Sequence, residues 1–460
     1  MRIRVQVVIE GDEDVPSALH EVAELYRHDL GADTLGLQLA EAKELLARMQ
    51  EVVVEEQVRA CLAAKVACPH CGQARRHKDE RSITVRSLFG TLCLPSPRWH
   101  HCVCRPQEKQ TFSPLTEVLP ERTTPELLYL EAKFAGLMSY GLSAKLLGEL
   151  LPLGRSLHPT SVRRHVQATA QRLEEELGPE QVMFIEGCPR DWEELPIPDL
   201  PLTVGLDGGY VHACDQRSRR EGWFEVIAGK SMPADGDAKS FAYVQTFDTK
   251  PKRRLFELLK SQGMAANQQV TFLTDAGADV RELPLYLNPQ AEHLIDWFHV
   301  TMRLTVMGQI ARGLEDKAGA EAGRQLERLK WFLWHGNVFR ALQVVGDLEI
   351  DVDGAAPGQR KLVKTLIEFG GYIEANATWL ANYGERYRHG EAISNTFVES
   401  AVNQVVSKHM VKKQQMRWSQ RGAHLLLQIR TRVLNDDLAG DFRRWYPAFM
   451  PASERQDVAA

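Results

Sequence analysis

The chain has no uninterrupted apolar run of about 18 residues, so nothing in it predicts a transmembrane helix. Its opening stretch, MRIRVQVVIEGDEDV, lacks the apolar core of a secretory signal and alternates as a strand does, so secretion is not expected. An excess of positive charge is missing too. Lys and Arg total 56 against 61 Asp and Glu, a net charge of −5, which excludes a uniformly basic coat and confines any contact with polyanions to local patches. Cysteine is scarce outside one region: Cys68, Cys71, Cys93, Cys102 and Cys104 crowd together, and only Cys61, Cys188 and Cys214 lie elsewhere. That clustering argues for a metal site in a reducing, cytoplasmic setting and against a disulfide framework spread along the chain. No internal repeat is visible.

What is present has the balance of an ordinary globular protein, 44% hydrophobic and 25% charged. At 460 residues it exceeds what one core organises, so two to four domains are expected. Residues 1–66 read as a strand and then a long amphipathic helix, with leucines and valines at helical spacing through TLGLQLAEAKELLARMQEVVVEEQVRACLA. Residues 67–115 hold the cysteines around SITVRSLFGTLCLPSPRW, whose alternation predicts a β-hairpin. Residues 116–178 are helical in pattern, and residues 179–201, with Pro179, Pro189, Pro196, Pro198 and Pro201, read as a linker.

Beyond the linker the texture becomes α/β. PLTVGLDGGYVHA, WFEVIAGKSM and SFAYVQTFD predict three consecutive strands, a helix opens at Pro251, and QQVTFLTDAG and AEHLIDWF predict two more strands. Residues 202–300 thus form the first part of a core. Residues 301–385 are a helical insertion, residues 386–435 return to the core through the helix ISNTFVESAVNQVVSKHMV, and residues 436–460 are a tail. Three antiparallel strands, a helix and a further strand are the element order of a ribonuclease H-like fold. In that fold Asp207, near the end of the first strand, Asp275, at the end of the fourth, and Glu399, on the late helix, converge at one edge of the sheet. Carboxylates suit Mg²⁺ or Mn²⁺, and two such ions about 3.5–4 Å apart clamp the attacking and leaving oxygens of a phosphodiester. Asp279 is a competitor for Asp275 that better suits a helix N-cap.

The stretches VGLDGGYVHA, FLTDAGADVREL and TFVESAVNQVVSKHMVKKQQMRWS, within residues 202–435, resemble the DDE transposases of bacterial insertion sequences, specifically the ISKra-type group related to Mutator-like elements. The resemblance implies that Asp207, Asp275 and Glu399 are the catalytic metal ligands, that two divalent ions bind them, and that a helical insertion fills the long interval before the glutamate. It also implies double-stranded DNA partners, namely terminal inverted repeats and target DNA, assembly as a homo-oligomer on that DNA, and action at the bacterial nucleoid. Asp296-Trp297-Phe298-His299 matches a family pattern of Cys or Asp shortly before a His. That match implies a role for His299 at the scissile phosphate or at a water beside the metals; the alternative is a structural histidine capping the insertion helix.

Cys68-Pro-His-Cys71 and Cys102-Val-Cys104 supply four thiolates from two turns, the donor set of a closed tetrahedral Zn²⁺ site in a zinc ribbon. His100 or His101 could replace one ligand, and Cys93, inside an apolar strand, is expected in the core. Residues 143–173 read helix, turn, helix, with Arg163, Arg164 and His165 early in the second helix, where a helix-turn-helix contacts bases; a solvated basic face is the alternative. Residues 400–435 hold Lys408, Lys412, Lys413, Arg417, Arg421, Arg430 and Arg432 and no acidic residue, a patch suited to phosphates. Trp418 within it could stack on a displaced base or pack against the sheet. The expected activity is therefore metal-dependent cleavage of transposon ends followed by joining of the freed 3′-hydroxyl to target DNA. A ribonuclease H-like nuclease or resolvase, and a catalytically idle zinc-containing DNA-binding relative, are the competing readings.

Overall fold

A computed structural model describes residues 1–10, 18–104, 111–154, 156–182, 190, 194–195, 202–214, 222–265, 267–275, 277, 283, 287, 291–314, 317–352, 354, 356–408, 410 and 416–451, with backbone only at 317, 318, 396 and 399. The chain divides into two compact units, Met1–Thr169 with Asp437–Ala460, and Ala170–Asp436. Much of the proline-rich 179–201 stretch lies outside the described residues. No helix among the described residues is long and apolar enough to cross a membrane.

The first unit opens with a two-stranded antiparallel sheet, β1 (Arg2–Ile9) and β2 (Ala18–Tyr26), before the long helix α1 (Leu39–Lys65). The sequence predicts a single strand here. ALHEVAELY carries helix formers, but pairing with β1 overrides that weak preference. Next come β3 (His77–Ser87), β4 (Gly90–His100) and the short β5 (Thr111–Phe112), a three-stranded sheet. Val85, Leu92 and Leu94 pack with Val58 of α1 and with Leu115 of α2 (Pro114–Val118). Cys93 is a correction: Leu92 and Leu94 face the core, so the period of two turns Cys93 outward, and it is exposed.

Three helices follow, α3 (Pro125–Leu137), α4 (Tyr140–Leu150) and α5 (Pro159–Glu176). Leu127 of α3, Leu147 of α4 and Leu153 just after it form a small core, and the Ser139 hydroxyl caps α4 by accepting from the Leu142 N–H. His165 of α5 turns inward and meets the fully buried carboxylate of Glu131 at 2.5 Å. It therefore serves packing, not a DNA surface.

In the second unit, β6 (Leu202–His212), β7 (Trp223–Pro233), β8 (Lys239–Val244), β9 (Val270–Thr274) and β10 (Ala291–Ile295) make one sheet in the order β10-β9-β6-β7-β8. The first three are antiparallel; β9 and β10 run parallel to β6. Every residue of β9 is buried, as an inner parallel strand requires. Helix α6 (Pro251–Ser261) connects β8 to β9 and buries Leu255 and Leu259 with Val204, Leu206 and Phe272. The Glu180 carboxylate accepts from the Lys252 and Arg253 N–H groups at its first turn, where a helix favours negative charge.

After β10 the chain enters a helical bundle: α7 (Trp297–Arg312), α8 (Lys317–Trp334), α9 (Val338–Asp351), α10 (Pro357–Ala375) and α11 (Tyr383–Arg388), around Leu304, Leu329, Leu366 and Phe369. It returns through α12 (Thr396–Val402), a π-helical turn Asn403–Ser407, and α13 (Gln420–Leu434), which packs along β8. Helix α14 (Leu438–Trp445) belongs to the first unit, where Phe442 meets Tyr129 of α3 edge to face.

Within the second unit, which takes in the end of α5 from Ala170, a buried ion network ties that end to α6 and α13. The Arg254 guanidinium bonds Asp248, Glu174 and Gln428, and Glu174 also lies 3.5 Å from His424. Glu174, Asp248 and His424 have the ligand types of a metal site, but Arg254 already places its charge among them. Burial works to raise the Glu174 carboxyl, yet hydrogen bonds with His424 and Arg254 outweigh it and hold the group at about 2, against an ordinary 4.5. A depressed carboxyl stabilises the fold above its unfolded pKa, and that stabilisation is lost as pH falls through the folded value. Acid unfolding of wild type is therefore expected to steepen between about pH 4.5 and 2. Glu174→Gln should remove that component, which pH-jump circular dichroism would measure. An unchanged acid profile in the variant would show that Glu174 is not the titrating group.

Candidate functional site

The register of the central strands decides where the first two carboxylates stand. Leu202 pairs with Val270 and Gly205 with Leu273, so the same register carried two residues further sets Asp207 opposite Asp275, just where β9 ends. Both are half-buried, and each carboxylate accepts from a nearby main-chain N–H, Asp207 from Gly208 at 2.8 Å and Asp275 from Gly277 at 3.0 Å. The Tyr372 hydroxyl on α10 donates to the Asp275 carbonyl at 3.3 Å, so the helical bundle touches the end of β9.

The third carboxylate comes from far along the chain. Gly205, Asp207 and Gly209 share one face of β6, since side chains alternate along a strand. A Cβ at Gly205 would collide with Val398, and one at Gly209 would lie 3.5 Å from Val402 Cγ1. Val398 and Val402 are one helical turn apart on α12, and Glu399 lies in that same turn. The glycines on either side of Asp207 thus let the helix bearing Glu399 lie directly on the strand bearing Asp207. The Glu399 side chain itself lies outside the described residues, as does Asp279.

His299 sits in the first turn of α7, half-buried, with Nε2 3.7 Å from Asp296 Oδ2. The capping residue is Asp296, whose Oδ1 accepts from the Phe298 N–H at 2.9 Å. Burial pushes the Asp296 carboxyl above its ordinary range, opposed by the Phe298 N–H, the His299 charge and the Asn395 N–H.

The four cysteines of the ribbon do come together. Cys68 begins a turn closed by the Gly72 N–H donating to its carbonyl, with Gly72 at φ 71°, and Cys102 and Cys104 follow β4. All four sulfurs lie within 4.8 Å of one another, with Cys68 to Cys104 at 3.7 Å and Cys71 to Cys102 at 3.3 Å. These separations are far above the 2.05 Å of a disulfide and near the roughly 3.8 Å between sulfurs of a tetrahedral site with Zn–S of about 2.3 Å. Main-chain N–H groups of His70 and Cys71 hold the Cys68 thiol down to about 6, whereas its sulfur neighbours push Cys104 up to about 12. Four thiolates cannot share this space without a cation, so the donor set fits zinc.

No family model matches the chain, and no curated protein does. Among solved structures, the Drosophila P element transposase strand transfer complex aligns over 68% of this chain and 93% of that chain, at 8% identity and a TM-score of 0.31. That likeness is too faint to carry an argument, and the residues themselves must.

Arg163 and Arg164 are exposed on α5, opposite the buried Val162 and Val166. Of the basic stretch, Arg417 is exposed, whereas Lys412 and Lys413 lie outside the described residues. Trp418 is half-buried, and its main chain joins the end of β6: its N–H donates to the His212 carbonyl, and the Cys214 N–H donates to its own carbonyl, both at 2.9 Å. Arg430 is a further correction. It is 3% exposed and donates to the carbonyls of Gln404 and Val405, so it locks the π turn after α12 and offers nothing to phosphate. Burial pulls its pKa down to about 10. Sequence reasoning passed over Gly205, Gly209, Tyr372 and Asn395. The two glycines were legible in VGLDGG, because glycine inside a strand marks a close backbone approach.

Proposed function

We propose that the protein is a DNA transposase of the DDE type, with a ribonuclease H-like catalytic core. One observation carries the reading: the parallel β6–β9 register, which pairs Gly205 with Leu273, leads on to Asp207 and Asp275 two residues further, and the helix bearing Glu399 packs on the Asp207 face across Gly205 and Gly209. The sheet order, with Asp207 on its central strand, supports the same reading. The three carboxylates would hold two Mg²⁺ or Mn²⁺ ions, whose charge stabilises the attacking and leaving oxygens in phosphodiester cleavage and strand joining. The chain's own part is to bring three hard oxygen donors to one place, to present His299 close by, and to bind the duplex. In the same reading, the cysteine ribbon holds a structural Zn²⁺, Arg163 and Arg164 read the transposon ends, and Lys412, Lys413 and Arg417 contact phosphates near the active site.

The test is direct. Purified protein is incubated with Mg²⁺ and duplexes taken from both flanks of its coding region, together with a labelled target duplex. Cleavage at a fixed position beside short inverted repeats, with joining of the new 3′-hydroxyl end to the target, is expected. Cleavage without joined product would replace transposase by nuclease, and absence of both would leave a DNA-binding protein.

The two basic surfaces should divide their work. Replacing Arg163 and Arg164 by Ala is expected to weaken binding to the element's ends far more than to random duplex. Replacing Lys412, Lys413 and Arg417 should weaken both alike and lower the salt dependence by about one unit of slope per lost contact. Fluorescence anisotropy across a salt series separates these outcomes. Equal losses from the Arg163/Arg164 variant would move base reading elsewhere.

A further inference from the structure

Helix α12 spans only Thr396–Val402, too short to hold itself in water, where helices below about 12 residues are marginal. Its position must come from tertiary bonds. At its far end Arg430 ties down the π turn; its near end is held by Asn395, which is 0% exposed. The Asn395 side-chain amide donates to the carbonyl of Leu206, the residue before Asp207, at 3.4 Å, and the Asn395 main-chain carbonyl accepts from the Val398 N–H. Its own N–H donates to Asp296 Oδ1 at 3.1 Å. Asp296, also 0% exposed, donates its N–H to the carbonyl of Thr274, the residue before Asp275, at 2.9 Å. Two buried residues therefore bond all three segments that carry the carboxylates. Asn395 Oδ1 remains buried without a hydrogen-bond partner among the described residues, while Asp296 Oδ2 faces His299 Nε2 at 3.7 Å.

We propose that Asn395 and Asp296 are positioning residues, a buried clamp that sets the Glu399 helix in register with the ends of β6 and β9. The proposal rests on the DDE reading of Asp207, Asp275 and Glu399. Neither residue touches the reacting atoms; each acts by placing Glu399 and so governs how tightly the carboxylates hold divalent cations. Removing such a support typically costs about 10- to 100-fold in metal affinity.

The experiment measures Mn²⁺ binding to the full chain by electron paramagnetic resonance, without DNA, alongside Mg²⁺-dependent cleavage and thermal melting. Asn395→Ala and Asp296→Ala are expected to raise the Mn²⁺ dissociation constant by about tenfold or more, with cleavage partly recovered at high Mn²⁺. Asp296→Asn keeps an oxygen to accept both N–H groups and should restore most of the affinity. Should Asn395→Ala fail to fold, Asn395→Ser, which stays polar but is too short to reach the Leu206 carbonyl, takes its place. Wild-type Mn²⁺ affinity in a folded Asn395 variant, or Asp296→Asn as defective as Asp296→Ala, would overturn the clamp. Asp207→Asn separates the two levels. If it too leaves Mn²⁺ binding intact, the DDE reading itself fails; if it alone loses binding, only the clamp does.

Discussion

Asp207→Asn, Asp275→Asn and Glu399→Gln are each expected to abolish cleavage of end DNA, by at least about a thousandfold, while affinity for the same duplex stays close to wild type. A thousandfold is about 4 kcal/mol of transition-state stabilisation, the scale of charge neutralisation by a bound cation. The expectation follows from placement. The β6–β9 register leads on to Asp207 and Asp275 two residues past its last pair, and α12 lies on the Asp207 face. Each substitution keeps the side chain's shape and removes one charge, so folding should survive. Gly205→Val tests the geometry with every carboxylate intact: its side chain would collide with Val398 and lift the Glu399 helix, with a comparable loss of cleavage. Single-turnover cleavage of labelled end duplex, with anisotropy for binding, measures both quantities. Near wild-type cleavage by any one carboxylate variant would remove that residue from the site.

The second large effect belongs to the ribbon. Purified protein is expected to hold about one Zn²⁺, and Cys68→Ser or Cys104→Ser to release it. Zinc binding in such sites is folding free energy, about 10–16 kcal/mol in isolated fingers. The β3–β4 hairpin has little else: a small cluster around Val85, Leu92 and Leu94 against α1. Limited proteolysis should therefore cut within residues 67–115 of the variants and not of the wild type. Cys93→Ser, an exposed thiol outside the cluster, should change neither zinc content nor cleavage pattern. Elemental analysis finding no zinc in protein purified under reducing conditions would refute the assignment.

The sequence by itself determined the local elements and the chemistry-bearing residue types. VTFLT announced a buried strand, Pro251 a helix start, and two closely spaced cysteine pairs a metal knuckle, because these signals act over a few residues. It failed where partners are distant. ALHEVAELY became a strand only through pairing with β1, and His165 turned inward only because Glu131 lies buried against it. Arg430 looked like one more phosphate contact in an acid-free run, yet it is buried on the carbonyls of the π turn. The carboxylates were nameable one by one, but only tertiary structure set Asp207 level with Asp275 and laid α12 across Gly205 and Gly209. The physical reason is range. Propensity and periodicity report what a residue does with neighbours along the chain, whereas register, close packing and bonds such as that from Asn395 to Leu206 join segments up to nearly two hundred residues apart.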